Sequence, residues 1–231
     1  MAAATLDITL LNLVAHEMRA PIALFKGYLS MLGEGSLSEP DVNEALRVME
    51  MKTEELDALA GMLVTAARLE SADVPRQPVL FDVAEAVALA VQGVASRTRL
   101  EQAEVRVHPP HISRWVNADR RQVTLVLSNL LNNALTYSPA PAQVAIETRD
   151  TLSVEIAVHD DGVGIAPERQ GRIFERFSRF AEGNANRPSG LGLGLSISRD
   201  LAELNGGELL LEWSAPGEGS VFVLRLPPAS R

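Results

Sequence analysis

The chain has 231 residues, 46% of them hydrophobic and 22% charged, which is the composition of a globular protein and not of a disordered one. Its formal charge of -9 opposes general nucleic-acid binding, because neutralising phosphates takes a surplus of Lys and Arg. The absence of cysteine excludes disulfides, thiolate catalysis and cysteine-ligated zinc. No apolar run reaches the ~18 residues of a membrane span. The opening Met1–Asp7 has no basic segment of a secretory signal. The expectation is a soluble, cytoplasmic chain, either by itself or as the cytoplasmic part of a larger protein.

Two helices are predicted first. Leu6, Leu10, Leu13, Glu17, Ala20, Leu24, Gly27 and Met31 recur in steps of four and three. Gly33-Glu34-Gly35-Ser36 breaks that pattern. Val42, Leu46, Met49, Thr53, Leu56, Ala60 and Leu63 then resume it, behind a helix start with Ser38 as N-cap. This is a helical hairpin, and two helices cannot enclose a core. A second copy is the simplest partner, giving a dimeric four-helix bundle. Packing on the rest of the same chain is the alternative.

Ser71 to Pro78, with two prolines, reads as a linker. Domains are accordingly expected at 1–73 and 74–231. Beyond the linker the signals mix. Helices are predicted over 83–100, 120–136 with Asp119 as N-cap, and 192–204. Strands are predicted near Val105–Val107, Trp115–Asn117, Gln143–Thr148, Leu152–His159, Glu208–Trp213 and Ser220–Leu226. The fold class is α+β, one sheet with helices on one face.

Four short stretches carry chemistry. His16 falls about 100° off the first seam, so it points to solvent. Beside Glu17 and Arg19, and ahead of Pro21, it is an available nucleophile, with Glu17 placed to accept a proton. Asn129 and Asn133 share a helix face and can serve a hydrated cation such as magnesium and phosphate oxygens. Asp160 closes a strand and can accept from an exocyclic amine such as that of adenine. Gly162 and Gly164 let backbone approach a flat ring. Gly190, Gly192 and Gly194 run into a helix start whose free N–H groups suit phosphate, yet neither a Rossmann nor a Walker spacing is present.

Taken in order, these stretches resemble the transmitter core of bacterial two-component sensor histidine kinases, over nearly everything from Leu11 to Leu226. His16-Glu17-Met18-Arg19-Ala20-Pro21 is similar to the family's H-box. Asn129 to Tyr137 resembles its N-box, Asp160 to Ile165 its first glycine box, Phe174 to Arg179 its F-box, and Gly190 to Gly194 its second glycine box.

The resemblance implies a dimerisation and phosphoacceptor domain followed by an ATP-binding domain of the gyrase-type GHKL superfamily. It implies autophosphorylation of His16 by ATP, with Glu17 as acid/base partner, then transfer to an aspartate of a response regulator. By the same carry-over Asn133 binds magnesium, Asn129 and Tyr137 line the nucleotide, and Asp160 reads adenine. Residues 166–191 form a lid from which Arg179 contacts phosphate. Three positions depart from the family pattern: Thr136 where Lys is common, Ser189-Gly190-Leu191 where Gly-Gly-Thr or Gly-Gly-Ser is common, and Ala20 where Thr or Asn is common. These departures sustain an alternative, a nucleotide-holding regulator scaffold without autokinase activity.

Overall fold

The computed structural model describes residues 8–71, 74–178 and 191–229. The described residues divide into a helical unit that ends at Val74 and an α/β unit that holds residues 75–178 and 192–229. In the first, α1 (Ile8–Gly33) and α2 (Glu39–Glu70) pack against each other as a hairpin. Ser36 N donates to Met31 O at 3.1 Å, and Gly35 takes a φ of +65° to close α1. Ser38 caps α2 reciprocally: its hydroxyl accepts from Asp41 N at 3.5 Å, and its own N–H reaches Asp41 Oδ2 at 3.3 Å.

The second unit holds β1 (Val79–Asp82), α3 (Val83–Gly93), α4 (Ala95–Leu100), β2 (Glu104–His108), β3 (Trp115–Ala118), α5 (Arg120–Tyr137), β4 (Gln143–Asp150), β5 (Val154–Asp160), α6 (Pro167–Gln170), α7 (Gly194–Leu204), β6 (Glu208–Ala215) and β7 (Gly219–Leu226). Five strands form one sheet in the order β2-β4-β5-β7-β6. Only β2 and β4 run parallel; the other pairs are antiparallel. The register aligns Ile146 with Val158 and Val158 with Phe222. It also aligns Ile156 with Leu224 and Leu224 with Leu209. These rows meet α5, which buries Val123, Val126, Leu127, Leu130, Leu131 and Ala134 and lies between α3 and α7. Helices cover one face of the sheet, as the α+β class requires.

Three details differ from the sequence expectation. The helix expected over 83–100 is broken at Val94, which is 2% exposed and bonds back to Val91 O. Gly93 weakens the helix there, and burying Val94 favours the break. Strand β1 was not expected. Val79-Leu80-Phe81 shows no alternation of apolar and polar residues, and the strand exists because it pairs antiparallel with β3. Residues read as linker are also held by the second unit: Gln77 N donates to Asp119 Oδ2 at 2.8 Å, and Gln122 Nε2 to Pro75 O at 3.1 Å.

Candidate functional site

Helix α5 begins where Asp119 accepts from Arg121 N at 3.0 Å, and its apolar stripe fastens it to the sheet. That fixes the opposite, polar face, on which Asn129 and Asn133 lie one turn apart. Their situations differ. Asn129 Nδ2 donates to the buried Ser198 Oγ of α7 at 2.8 Å. A Cβ on Gly194 would stand 2.4 Å from Asn129 Oδ1, so only glycine lets the first turn of α7 close over this amide. Asn133 is half-buried and hydrogen-bonds to no described residue, so its carbonyl oxygen is open to a cation. Among the described residues no group of three or more His, Asp or Glu could hold a metal. A divalent ion here would combine Asn133, waters and substrate phosphate, a donor set that fits magnesium.

Asp160 ends β5 opposite Ser220 of β7. Burial pushes its carboxyl up to about 6, against the opposing pull of backbone N–H groups at Gly162 and Ser220. The bond from Gly162 N to Asp160 Oδ1 is 2.9 Å. The turn that follows is seated on the end of α5: Val163 N donates to Tyr137 O at 3.0 Å, and a Cβ on Gly162 would meet that carbonyl at 2.8 Å. Gly164 has φ +66°, and a Cβ there would fall 1.9 Å from Ala215 O. Ser214 Oγ, which accepts from Ile165 N at 2.8 Å, lies 3.0 Å from Ser220 Oγ. Thus Asp160, Gly162, Gly164 and Tyr137 belong to one corner, with the Tyr137 ring exposed.

A third element is the entry to α7. Gly192 and Gly194 lead into it, and Leu193 at the N-cap supplies no side-chain bond to the first-turn amides. A helix start without a side-chain cap is suited to an anion. Gly192 O accepts from Phe177 N at 2.9 Å, with Phe177 held at φ +62°. Arg199 stacks 5.3 Å over the Phe174 ring, and Arg176 pairs with Asp200 at 3.4 Å. The F-box is therefore anchored along α7. Arg179 and Gly190, also expected at this site, lie outside the described residues.

In the helical unit, His16 is exposed on α1 and Glu17 is half-buried beside it. Pro21 sits inside α1 and cannot donate to Glu17 O, which perturbs the helix one turn after the histidine. Ala20 is exposed. The site residues thus divide: His16 and Glu17 on the first unit, and Asn129, Asn133, Tyr137, Asp160, Gly162, Gly164, Gly192 and Gly194 on the second. Ser198, Ser214 and Ser220 complete the second set. No local sequence pattern marks them, since each matters through a partner brought close by folding.

Residues 118–230 match the family described as histidine kinase-, DNA gyrase B-, and HSP90-like ATPase. The sensor-like histidine kinase SenX3 of Mycobacterium tuberculosis is 35% identical over 223 residues, spanning 93% of this chain and 52% of SenX3. The chain thus spans about half the length of this curated relative. The fold is shared with the Acinetobacter baumannii histidine kinase AdeS (TM-score 0.63, 24% identity, 93% of this chain and 98% of that one). It is also shared with the histidine kinase ThkA, solved in complex with the response regulator protein TrrA (TM-score 0.59, 24% identity, 94% of this chain and 60% of that one). Residues 118–230 belong to the histidine kinase-, DNA gyrase B- and HSP90-like ATPase family, and the chain is a homologue of the bacterial sensor histidine kinases along nearly its whole length.

Proposed function

We propose that the chain is the transmitter core of a sensor histidine kinase, which phosphorylates itself on His16 with magnesium-ATP and passes the phosphoryl group to an aspartate of a response regulator. The observation that carries this reading is the extent of the match to SenX3. At 93% of the chain it takes in both the helix bearing His16 and the ATPase-family unit. ThkA, crystallised with a response regulator, supports the choice of partner.

The residues divide the work. Asp160 accepts from the exocyclic amine of adenine, and Gly162 and Gly164 give the base room. Asn133 contributes an amide oxygen to magnesium, which neutralises charge on the phosphates when bound. The amides at the start of α7 face the phosphate chain, with Asn129 and Ser198 holding that turn in place. Neutral His16 attacks the γ-phosphorus. The nitrogen–phosphorus bond forms, the bond to the β-phosphate oxygen breaks, ADP leaves, and the imidazole proton passes to Glu17. In the second step a regulator carboxylate oxygen takes the phosphoryl group and His16 regains a proton.

The hairpin is read as half of a homodimeric four-helix bundle, supported by Leu29, Met31 and Leu46, which expose 58%, 42% and 52% of their surface. No helix among the described residues is long and apolar enough to cross a membrane. ATP as donor and a receiver domain as acceptor put the reaction in the cytoplasm. The scaffold alternative finds no support in the comparisons. The test is incubation with γ-labelled ATP and magnesium. The wild-type chain should acquire acid-labile, alkali-stable label, and His16→Gln should acquire none. Label of equal intensity on His16→Gln would overturn the assignment.

A further inference from the structure

Thr136 lies on α5 three residues after Asn133 and seven after Asn129. At 3.6 residues per turn the three project within an arc of about 60°. The helix brings no cation to this stretch, because its own basic residues, Arg120 and Arg121, stand at its opposite end. One arrives from α4. Arg97 Nη1 donates to Thr136 Oγ1 at 3.0 Å and approaches Asn132 O at 3.4 Å and Asn132 Oδ1 at 3.5 Å. Its Nε is held by Glu101 Oε1 at 2.9 Å. The Arg97 side chain is 16% exposed, so these contacts fix it in place. Nη2 bonds to no described residue, which leaves part of the planar donor fork uncommitted.

We propose that Arg97 is a phosphate-binding residue of the nucleotide site, laid across the polar face of α5 from the side opposite α7. The proposal rests on the reading of that face as the nucleotide site. A triphosphate keeps net negative charge after one divalent ion has bound, and its non-bridging oxygens accept hydrogen bonds. A guanidinium N–H held by its neighbours meets such an oxygen as a charge-assisted donor of fixed direction, which a freely rotating ammonium is not. Glu101 and Thr136 set the reach of the fork, and Nη2 supplies the free donors. Arg97 is 39 residues from Thr136 in the chain, so no local motif contains it.

The test compares wild type with Arg97→Gln and Arg97→Lys in the full chain. Affinities for ATP, ADP and adenosine are measured by competition against a fluorescent ATP analogue, alongside the unfolding midpoint. Losing a charge-assisted bond should weaken ATP binding roughly ten- to a hundredfold in Arg97→Gln. Arg97→Lys should fall between, and adenosine should bind as it does to wild type. Adding Thr136→Lys to Arg97→Gln should recover ATP affinity by returning a cation to the same face. Equal weakening of ATP and adenosine would mean a structural tie and overturn the proposal, as would unchanged ATP affinity in Arg97→Gln. Wild-type protein that bound none of the three would instead sink the nucleotide-site reading, and the proposal with it.

Discussion

In the hairpin, the buried apolar side chains among the described residues are Pro21, Ala45, Met51 and Ala66, while Leu29, Met31, Leu46 and Val64 are each more than 40% exposed. In the α/β unit, Leu127, Leu131, Ile156 and Leu224 have no accessible surface at all. The same aliphatic residues are therefore used in two ways. The α/β unit closes its core within one chain, with sheet and helices each covering the other's apolar face. The hairpin has one apolar stripe per helix and too few neighbours to cover both. A core that closes within the chain can be tested in the chain. An open stripe can be tested only through what covers it.

The contrast is sharpest in a pair of substitutions. Leu127→Ala opens a cavity at a fully enclosed position and should cost about 2–5 kcal/mol. The readout is direct, because both tryptophans, Trp115 and Trp213, lie in the α/β unit and none lies in the hairpin. Denaturant unfolding followed by tryptophan fluorescence should shift to a lower midpoint in Leu127→Ala. Leu46→Asp should leave that midpoint unchanged, since Leu46 is half-exposed within the chain. It should nevertheless dissociate the proposed homodimer in sedimentation, because a covering partner would bury an unpaired charge. A Leu46→Asp protein that sediments like wild type would break the comparison, by placing the covering surface elsewhere.

A smaller effect is expected at Asp160, where burial in the α/β unit disfavours the charged carboxylate. Its carboxyl is raised to about 6 by burial, so the folded protein holds this proton more tightly than a free side chain does. An exocyclic amine needs the ionised form as acceptor. Nucleotide affinity should therefore be full above about pH 7 and should fall as pH drops through 6, by roughly tenfold per unit once the protonated form dominates. Asp160→Asn should bind about ten- to a hundredfold more weakly at pH 7.5 and lose that dependence. A wild-type profile flat between pH 7.5 and 5 would remove Asp160 from the adenine contact.

The two units were also unequally legible in the sequence. Helices α1, α2, α5 and α7 follow from apolar periodicity and from caps that the sequence displays, such as Ser38 and Asp119. Strand β1 and the break at Val94 do not, because pairing with β3 and burial in the core decide them. The site divides in the same manner. Asn133, Asp160 and the glycines at 162 and 164 sit in short local patterns and could be named before the fold was known. Ser198 is 69 residues from Asn129 and Arg97 is 39 from Thr136. Those contacts come into being only when α7 and α4 pack on α5. What local spacing records is the backbone approach and the reactive group; what it omits is the set of side chains that hold them still.

The least conspicuous effect returns to the hairpin and to Ala20, which stands four residues after His16 on α1 and is exposed. Positions i and i+4 share a helix face, so a regulator docked at His16 as proposed would meet residue 20 as well. Hydrolysis of the regulator's acyl phosphate needs a water aligned with phosphorus, and a Thr or Asn side chain one turn on can hydrogen-bond that water. Alanine has neither donor nor acceptor. A missing positioning bond should cost on the order of 1–3 kcal/mol, roughly ten- to a hundredfold in rate. Autophosphorylation does not use this water. The expected protein is a kinase with little phosphatase activity, whose signal ends by the regulator's own hydrolysis or by another enzyme. Decay of phosphorylated regulator should be nearly the same with and without the wild-type chain plus ADP, and faster with Ala20→Thr, while the autokinase rate stays unchanged. Strong acceleration by the wild-type chain would refute this. An equal gain of Ala20→Thr in the autokinase assay would assign the effect to the conformation of α1 around Pro21 instead.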